Sequence, residues 1–586
     1  MQLNKISIWQ RYGRIGLALL LGLWAVSATV GSFVSGHFIE NSTGGATIRY
    51  VSPAGQDAAN ACTNPANSCA TLQHAIDNAD PGDEIRLAQG TFNDVVEING
   101  LDQIGYIDIS LTIQGGYTAD FTQSFPLTQT TILDAQSLGR GLVITGMVTA
   151  VVENLTIQNG DATGQGGAEI GFGCEDAGGG IFIKNASVDL TNNKVQTNTA
   201  CHGGGIFILN SPAAVVLNNE ISQNAAAVYA GGLYINGSND AAVNNNEIFQ
   251  NVANQAGPGQ KHCGGGRIYN SSNVQVMGNA IYENIAANSG GGLCLESADN
   301  ALIQNNLING NVRKAGFVGS GAGIYVYGSD FVQLVGNSIY GNGGEDIANL
   351  GTLNGGGLFV TLSNNLTLRQ NLIYDNVATI GGGIYLDRDN AIELLSNIIR
   401  NNLAVDMPTN DDGYGGGLAA VEADITAVNS VIVDNDADLA EMGSGVYLAL
   451  SNLSLQHPTI ARNNPLTGTG VFVSDITSTL SITNAIVVNQ AIGIDAIPGS
   501  TANVFDVLWY GNGQNTNGVV TVTEAITAVP HFAADGFHLT VNSPALNQAT
   551  PSNVTTDVDG ELRFAWPDLG ADERQCYLYL PVVNKP

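Results

Sequence analysis

From residue 178 onward the chain repeats one pattern of polar and apolar positions. A glycine block opens a short apolar stretch: GGGIFI at 178 and 203, AGGLYI at 230, GGGRIY at 264, GGGLCL at 290, GAGIYV at 321. It recurs as GGGLFV at 355, GGGIYL at 381, GGGLAA at 415, GSGVYL at 443 and GTGVFV at 468. The starts lie roughly 25 to 34 residues apart, which fits a fixed coil carrying loops of variable length. Within each repeat an Asn is followed two residues on by Ile or Val and five on by a second Asn, as in Asn219/Ile221/Asn224 and Asn306/Ile308/Asn311. Five and three residues before the first Asn stand apolar residues, Ala214/Val216 and Ala301/Ile303 in the same two repeats. That period of two is the signature of strands.

Each coil is therefore expected to hold three short strands separated by corners. Asn suits a corner because it tolerates left-handed backbone, and stacked Asn amides can bond one another. Glycine permits a tight bend. A single coil cannot bury its own inward face, so only stacking makes a core. The pattern predicts an all-β chain, a parallel β-helix solenoid of about eleven regular coils with irregular coils at both ends, the regular part about 53 Å long at the usual strand spacing.

The flanks differ. ATLQHAIDNADPGDEIRLAQGTF (70 to 92) begins as a helix with Leu72, Ala75, Ile76 and Ala79 on one face, suited to capping the first coil. The chain divides into an N-terminal cap with early coils (45–140), the repeats (141–525), a closing cap (526–575) and an apolar tail (576–586). Before these, Lys5, Arg11 and Arg14 precede an uncharged stretch with a small-residue exit at Val26-Ser27-Ala28, which reads as a signal peptide over 1–28. An uncleaved anchor is the alternative, and the only membrane contact expected. Both place the body outside the cytoplasm, extracellular or at the cell surface.

Charge narrows the partners. Nineteen Lys and Arg against 51 Asp and Glu give a net charge of −32, which repels nucleic acid and anionic lipid. An acidic polysaccharide would need a bridging cation. The seven cysteines suit an oxidising compartment. Cys62 and Cys69 bracket CTNPANSC and are expected to close it; Cys174 and Cys201 fall at the same corner of successive repeats and are expected to pair. Cys263, Cys294 and Cys576 have no evident partner.

YVSPAGQD (50 to 57), the 70 to 92 segment, LTIQGGY and the repeats resemble secreted right-handed β-helix proteins related to pectate lyases. FHLTVNSPALNQATPSNVTTDVDGELRFAWPDLGADE (537 to 573) is similar to the C-terminal end of exported bacterial β-helix proteins of the choice-of-anchor type. The glycine blocks are similar to repeats of polymorphic outer-membrane adhesins. These resemblances imply a right-handed helix and export. They do not select an activity, because the fold hosts lyases, hydrolases, epimerases and adhesins.

In each glycine strand the first and third apolar residues should face inward and the middle one outward. The outward set would include Tyr234, Tyr325, Phe359, Tyr385 and Tyr447, a stripe on which sugar rings can stack unless loops cover it. Arg267 in GGGRIY falls where an inward residue is expected, so either the coil slips there or Arg267 turns towards a site. Loops before the glycine blocks gather Asp406, Asp411 and Asp412, then Asp436, Asp438 and Glu441; these hard oxygen donors would suit Ca²⁺, and a solvated acidic face is the alternative. Asp557 and Asp559 form a second calcium candidate. No cofactor is required by any motif. Asp387, Arg388 and Asp389 in YLDRDN are the catalytic candidates, as paired carboxylates beside a guanidinium. Cys201-His202 and His262-Cys263 lie two coils apart, about 9.6 Å, too far for one tetrahedral zinc. The leading expectation is binding of an extracellular or cell-surface polysaccharide; the alternatives are a polysaccharide lyase or glycoside hydrolase, and a surface adhesin or structural protein.

Overall fold

The computed structural model describes residues 46–128, 130–170, 173–253, 263–314, 319–344, 352–407, 413–439 and 442–575. The segment read as a signal peptide, the tail from Cys576, and Asp411, Asp412, Glu441 and His262 lie outside the described residues.

Successive coils stack as a parallel β-helix. One coil runs through Ile206–Leu209, Val215–Leu217, Glu220–Ser222 and a short fourth strand, Ala225–Tyr229. Each pairs in parallel with its counterpart one repeat on: Ile206 with Leu233, Val216 with Val243, Ile221 with Ile248. The glycine strands join a sixteen-stranded sheet. Ile206, Ile208, Ala214, Val216 and Ile221 point into one continuous core that runs from Val51 to Trp509. Burying each large aliphatic side chain is worth about 1.5–3 kcal/mol, realised only when the neighbouring coils roof it.

Two corners are lined by asparagine. In one column Asn224 accepts from the backbone N–H (3.0 Å) and the amide (2.9 Å) of Asn198, and its own amide donates to the Val195 carbonyl at 2.9 Å and to Asn251 at 3.0 Å. The same four-bond pattern passes through Asn251, Asn284, Asn311, Asn342 and Asn376. The left-handed residue at each corner is not the column Asn but the residue before it: Asn218 (φ 55°), Gln223 (φ 56°), Asn245 (φ 55°) and Gln250 (φ 53°). The column Asn turns inward as an acceptor instead. In the glycine blocks the first residue takes the left-handed bend, as at Gly203 (φ 56°). The third is held by close approach: a Cβ on Gly205 would lie 2.7 Å from the Gly232 carbonyl oxygen.

A third column escapes the sequence pattern described above. Ser211, Ser238, Ser329 and Ser363 are fully buried after their glycine strands. Each hydroxyl donates to the carbonyl two residues back, as Ser363 does to Thr361 at 3.0 Å, and accepts a backbone N–H from the preceding coil, as from Ser329 at 3.0 Å.

The helix Leu72–Asp77 is capped by Thr71 and buries Leu72, Ala75 and Ile76 in the start of the core. A Cβ on Gly105 would strike Leu72 at 3.0 Å, so the helix lies directly on the first coil. At the other end the expected closing cap is displaced. Residues 531–573 lie along the flank, where Phe537, Leu539, Ala545, Val558 and Leu569 pack on Val431, Val433, Ile486 and Leu508. The reason is in the strands beneath. Their outward positions, polar in Glu220–Ser222, become apolar in Val431–Val433 and need cover. The left-handed corner residues fasten this strap. Asn429 donates to the Thr556 carbonyl at 2.7 Å, Asn484 to the Thr550 carbonyl at 2.9 Å, and His457 lies 3.1 Å from Ser552 Oγ. The last strand, Val520–Thr527, stays largely exposed.

Cys62–Cys69 and Cys174–Cys201 are disulfides, the latter joining successive coils with a Cα separation of 6.0 Å. Cys263 and Cys294, left unpaired by the sequence, form a third at 5.7 Å. Among the described residues no helix is long and apolar enough to cross a membrane.

Candidate functional site

The outward face of the glycine strands carries two parallel columns. The middle strand position forms one, through Phe207, Tyr234, Arg267, Cys294, Tyr325, Phe359 and Tyr385 in register. The residue two further on forms the other, through Leu209, Asn236, Tyr269, Glu296, Tyr327, Thr361 and Asp387. Arg267 thus belongs to the outward column. Gly266 takes the inward place opposite Leu233, so the block slips by one residue relative to its neighbours.

The middle column points out of the core as expected, but it is not an exposed stripe. Phe182 (5% exposed), Phe207 (0%) and Tyr234 (1%) lie under Ala168, Ile170 and Ala177 of the preceding loop. Phe359 and Tyr385 are buried beside Ile380 and Ala419, with Tyr325, Tyr414 and Tyr447 half-buried around them. These rings pack on one another: Phe207 and Tyr234 edge to face at 5.0 Å, Tyr325 on Phe359 at 5.7 Å, Phe359 on Tyr385 at 5.4 Å. Burial pushes the Tyr234, Tyr325 and Tyr385 phenols upward, so they stay neutral. Of the four tyrosines and one phenylalanine expected to bind sugar, Tyr234, Phe359 and Tyr385 therefore brace the face rather than form its surface.

What reaches the surface in the second column is chiefly Tyr269 and Tyr327, while Leu209 and Thr361 are buried. Tyr269 is 38% and Tyr327 42% exposed, one coil on either side of Glu296. Arg267 holds Glu296 in a two-pronged bond, 2.8 Å from Nε and 2.5 Å from a terminal nitrogen, and its other terminal nitrogen donates to the Tyr234 hydroxyl at 2.6 Å. The guanidinium also lies over the rings of Tyr229 (3.9 Å) and Tyr269 (4.6 Å). Burial alone would lower its pKa, but the bonds from Glu296 leave it above the ordinary arginine value, so it remains a fixed cation rather than a base. Tyr327 stacks nearly parallel on Tyr325, with 6.3 Å between ring centres. Reading the glycine strands two residues past their middle position, to Tyr269, Glu296 and Tyr327, is the signal that picks out this strip.

The catalytic candidates do not converge. Asp387 faces outward and is bonded by Arg388 (2.7 Å) and the Thr361 hydroxyl (2.9 Å). Asp389 is fully buried in the serine column, where its carboxylate accepts the backbone N–H of Ser363 (2.9 Å) and of Asp387 (3.0 Å). Burial raises its pKa to about 7 despite those donors. One carboxylate serves the corner and the other the surface, so the two do not address one sugar.

In the acidic loops Asp436 and Asp438 make local bonds, while Asp406 Oδ1 is buried without a partner among the described residues. Asp438 accepts the Asp406 N–H at 3.0 Å, and Asp436 accepts from Ala437 (2.8 Å) and Asn464 (2.7 Å). Among the described residues, no cluster of three metal-ligating groups includes them. His202 lies beside the Cys174–Cys201 bridge, its Nε2 2.8 Å from the Cys174 carbonyl, and burial lowers its pKa to about 4. The shallow groove over Thr199, Ala225 and Val252 has no ionisable lining among the described residues.

The model of the right-handed beta helix region matches residues 123–312 and 264–452, together more than half of the chain. No curated protein matches the chain. Among solved structures, pectate lyase Pel9A is similar at 13% identity over 90% of this chain and 96% of that one, with a TM-score of 0.28. The A-module of mannuronan C-5 epimerase AlgE6 from Azotobacter vinelandii is similar at 12% over 78% of this chain and 94% of that one (TM-score 0.30). PfbA, a surface adhesin of Streptococcus pneumoniae, is similar at 11% over 78% and 85% (TM-score 0.25).

Proposed function

Because the chain belongs to the right-handed beta-helix family, we propose that it binds an extracellular or cell-surface polysaccharide on the strip formed by Tyr269, Glu296 and Tyr327. The supporting observation is the placement of two exposed tyrosines around one anchored carboxylate. Two coils separate the rings by about 9.6 Å along the stack, a span that lets a sugar chain rest on both while its hydroxyls bond Glu296. Ring faces offer dispersion and C–H contacts to sugars, and the carboxylate supplies direction. Pre-anchoring by Arg267 means that little side-chain freedom is lost on binding.

The net charge of −32 favours a neutral polymer. Binding is favoured over turnover because Glu296 is engaged by a permanent cation. Three disulfides accord with an extracellular setting. The test is affinity electrophoresis on a polysaccharide panel, with and without calcium, following reducing ends and unsaturated products in parallel. We expect retention by a neutral glycan that is lost in Tyr269→Ala/Tyr327→Ala while the circular dichroism is unchanged. Equal retention by the double variant, or product formation that survives it, would overturn the proposal.

A further inference from the structure

We propose that the C-terminal strap carries a site for a first-row divalent cation, formed by His538, Asp559 and Asp572, with Asp535 orienting the histidine. Three stretches of the strap meet there. The first is the turn closed by the Phe532–Leu539 bridge, the second the turn closed by the Thr556–Leu562 bridge, and the third the run through Ala571 and Asp572. One ligand atom from each of the three residues lies within 4.8 Å of the others.

The arrangement around the imidazole is that of a metal ligand. Its Nδ1 is 2.5 Å from Asp535 Oδ2, and its Nε2, on the opposite edge, is 2.6 Å from Asp559 Oδ2. A carboxylate behind one ring nitrogen fixes the ring's orientation, as in carboxylate–histidine–metal groups, and a cation would replace the proton that Nε2 shares with Asp559. Asp572 supplies an independent pointer. It is 6% exposed, and one oxygen accepts the Leu539 N–H at 2.6 Å. One of its carboxylate oxygens lies in the same cluster. A carboxylate held largely away from water is costly to ionise, and a cation beside it would favour its charged form.

The donor set selects the ion. One imidazole and two carboxylates suit zinc and its neighbours better than calcium, which takes oxygen ligands only. The calcium candidate suggested by Asp557 is revised accordingly. Its carboxylate is filled by the backbone N–H groups of Asp559 (3.0 Å), Glu561 (2.8 Å) and Glu573 (3.0 Å), and it shapes the turn that presents Asp559. Bridging three stretches of the strap, the ion would hold it against Val431, Ile486 and Leu508.

The experiment uses the full exported chain, with any purification tag removed, stripped by chelator and titrated with ZnCl₂ by calorimetry, with metal content read by mass spectrometry. We expect one zinc per chain and a rise in the thermal midpoint on adding zinc. Both should be lost in Asp559→Asn, whose half-exposed side chain leaves the fold intact, and in His538→Ala. A wild-type chain that takes up no zinc, and so holds only a proton at His538, overturns the proposal. So does zinc uptake that is undiminished in Asp559→Asn and His538→Ala. Glycan retention on the Tyr269–Tyr327 strip is read separately, so failure of one proposal leaves the other standing.

Discussion

Two columns of the solenoid can be compared coil by coil. The buried asparagine column repeats one residue type, because each amide's partners are its own copies above and below together with a backbone carbonyl. The outer column beside it changes at almost every step, from Asn236 to Tyr269, Glu296, Tyr327, Thr361 and Asp387. A column whose members bond each other varies only within side chains that can accept the same bond, as Gln490 does after Asn463. A column that faces solvent is freer, and only there do side chains answer to something outside the stack.

The largest expected effect breaks the uniform column. Asn311→Ala removes the acceptor of the Asn284 N–H and amide and the donor to the Ile281 carbonyl and Asn342. At about 1–3 kcal/mol for each buried group left unsatisfied, a loss of about 4 kcal/mol is expected, read by chemical denaturation. Next is Arg267→Ala, which leaves Glu296 without its cation and should cost about 3 kcal/mol together with glycan retention. An intact affinity at reduced stability would show that the pair is structural only.

A smaller effect of opposite sign is expected at Asp389, the acidic interruption of the serine column. Its carboxyl titrates near 7 in the folded chain and near 4 when unfolded, so the folded state holds the proton more tightly. Stability should therefore fall as pH rises from about 4 to about 7 and stay low above that. Asp389→Ser, which copies Ser363, should gain about 2 kcal/mol at pH 8 and nearly nothing at pH 4, measured by denaturation at both values. The smallest effect on stability belongs to the outer column. Tyr327→Ala should shift unfolding by less than about 1 kcal/mol yet weaken glycan retention about tenfold. A large loss of stability there would make Tyr327 another bracing ring like Phe207.

The repeating half of this contrast could be read from the chain itself. The period-two apolar pairs at Ala214/Val216 and the recurring Asn219 and Asn224 report the core and the ladders directly, because self-pairing columns leave identical residues at fixed spacing. What the spacing did not report was cover. Tyr234 and Tyr325 occupy the same strand position, yet Tyr234 lies in the cluster roofed by Ala168 and Ala177, while Tyr325 is half-buried and stacks on an exposed tyrosine. Loop closure depends on contacts distant in sequence. The same holds for the strap: Val431 and Val433 signal an outward face in need of cover, but not that residues 531–573 supply it. The slip at Gly266 was visible only as a misfit at Arg267, and the pairing of Cys263 with Cys294 follows from stacking rather than from spacing.

Because each asparagine of the column offers the coil above what it receives from the coil below, the ladder itself sets no order among the turns it joins. Away from the inter-coil disulfides and the Arg267–Glu296 pair, duplicating one whole repeat in frame joins an Asn to an Asn in the ladder. Length is then a quantity that gene duplication can change in single steps, and a turn made redundant in this way is free to place new side chains on its outer face.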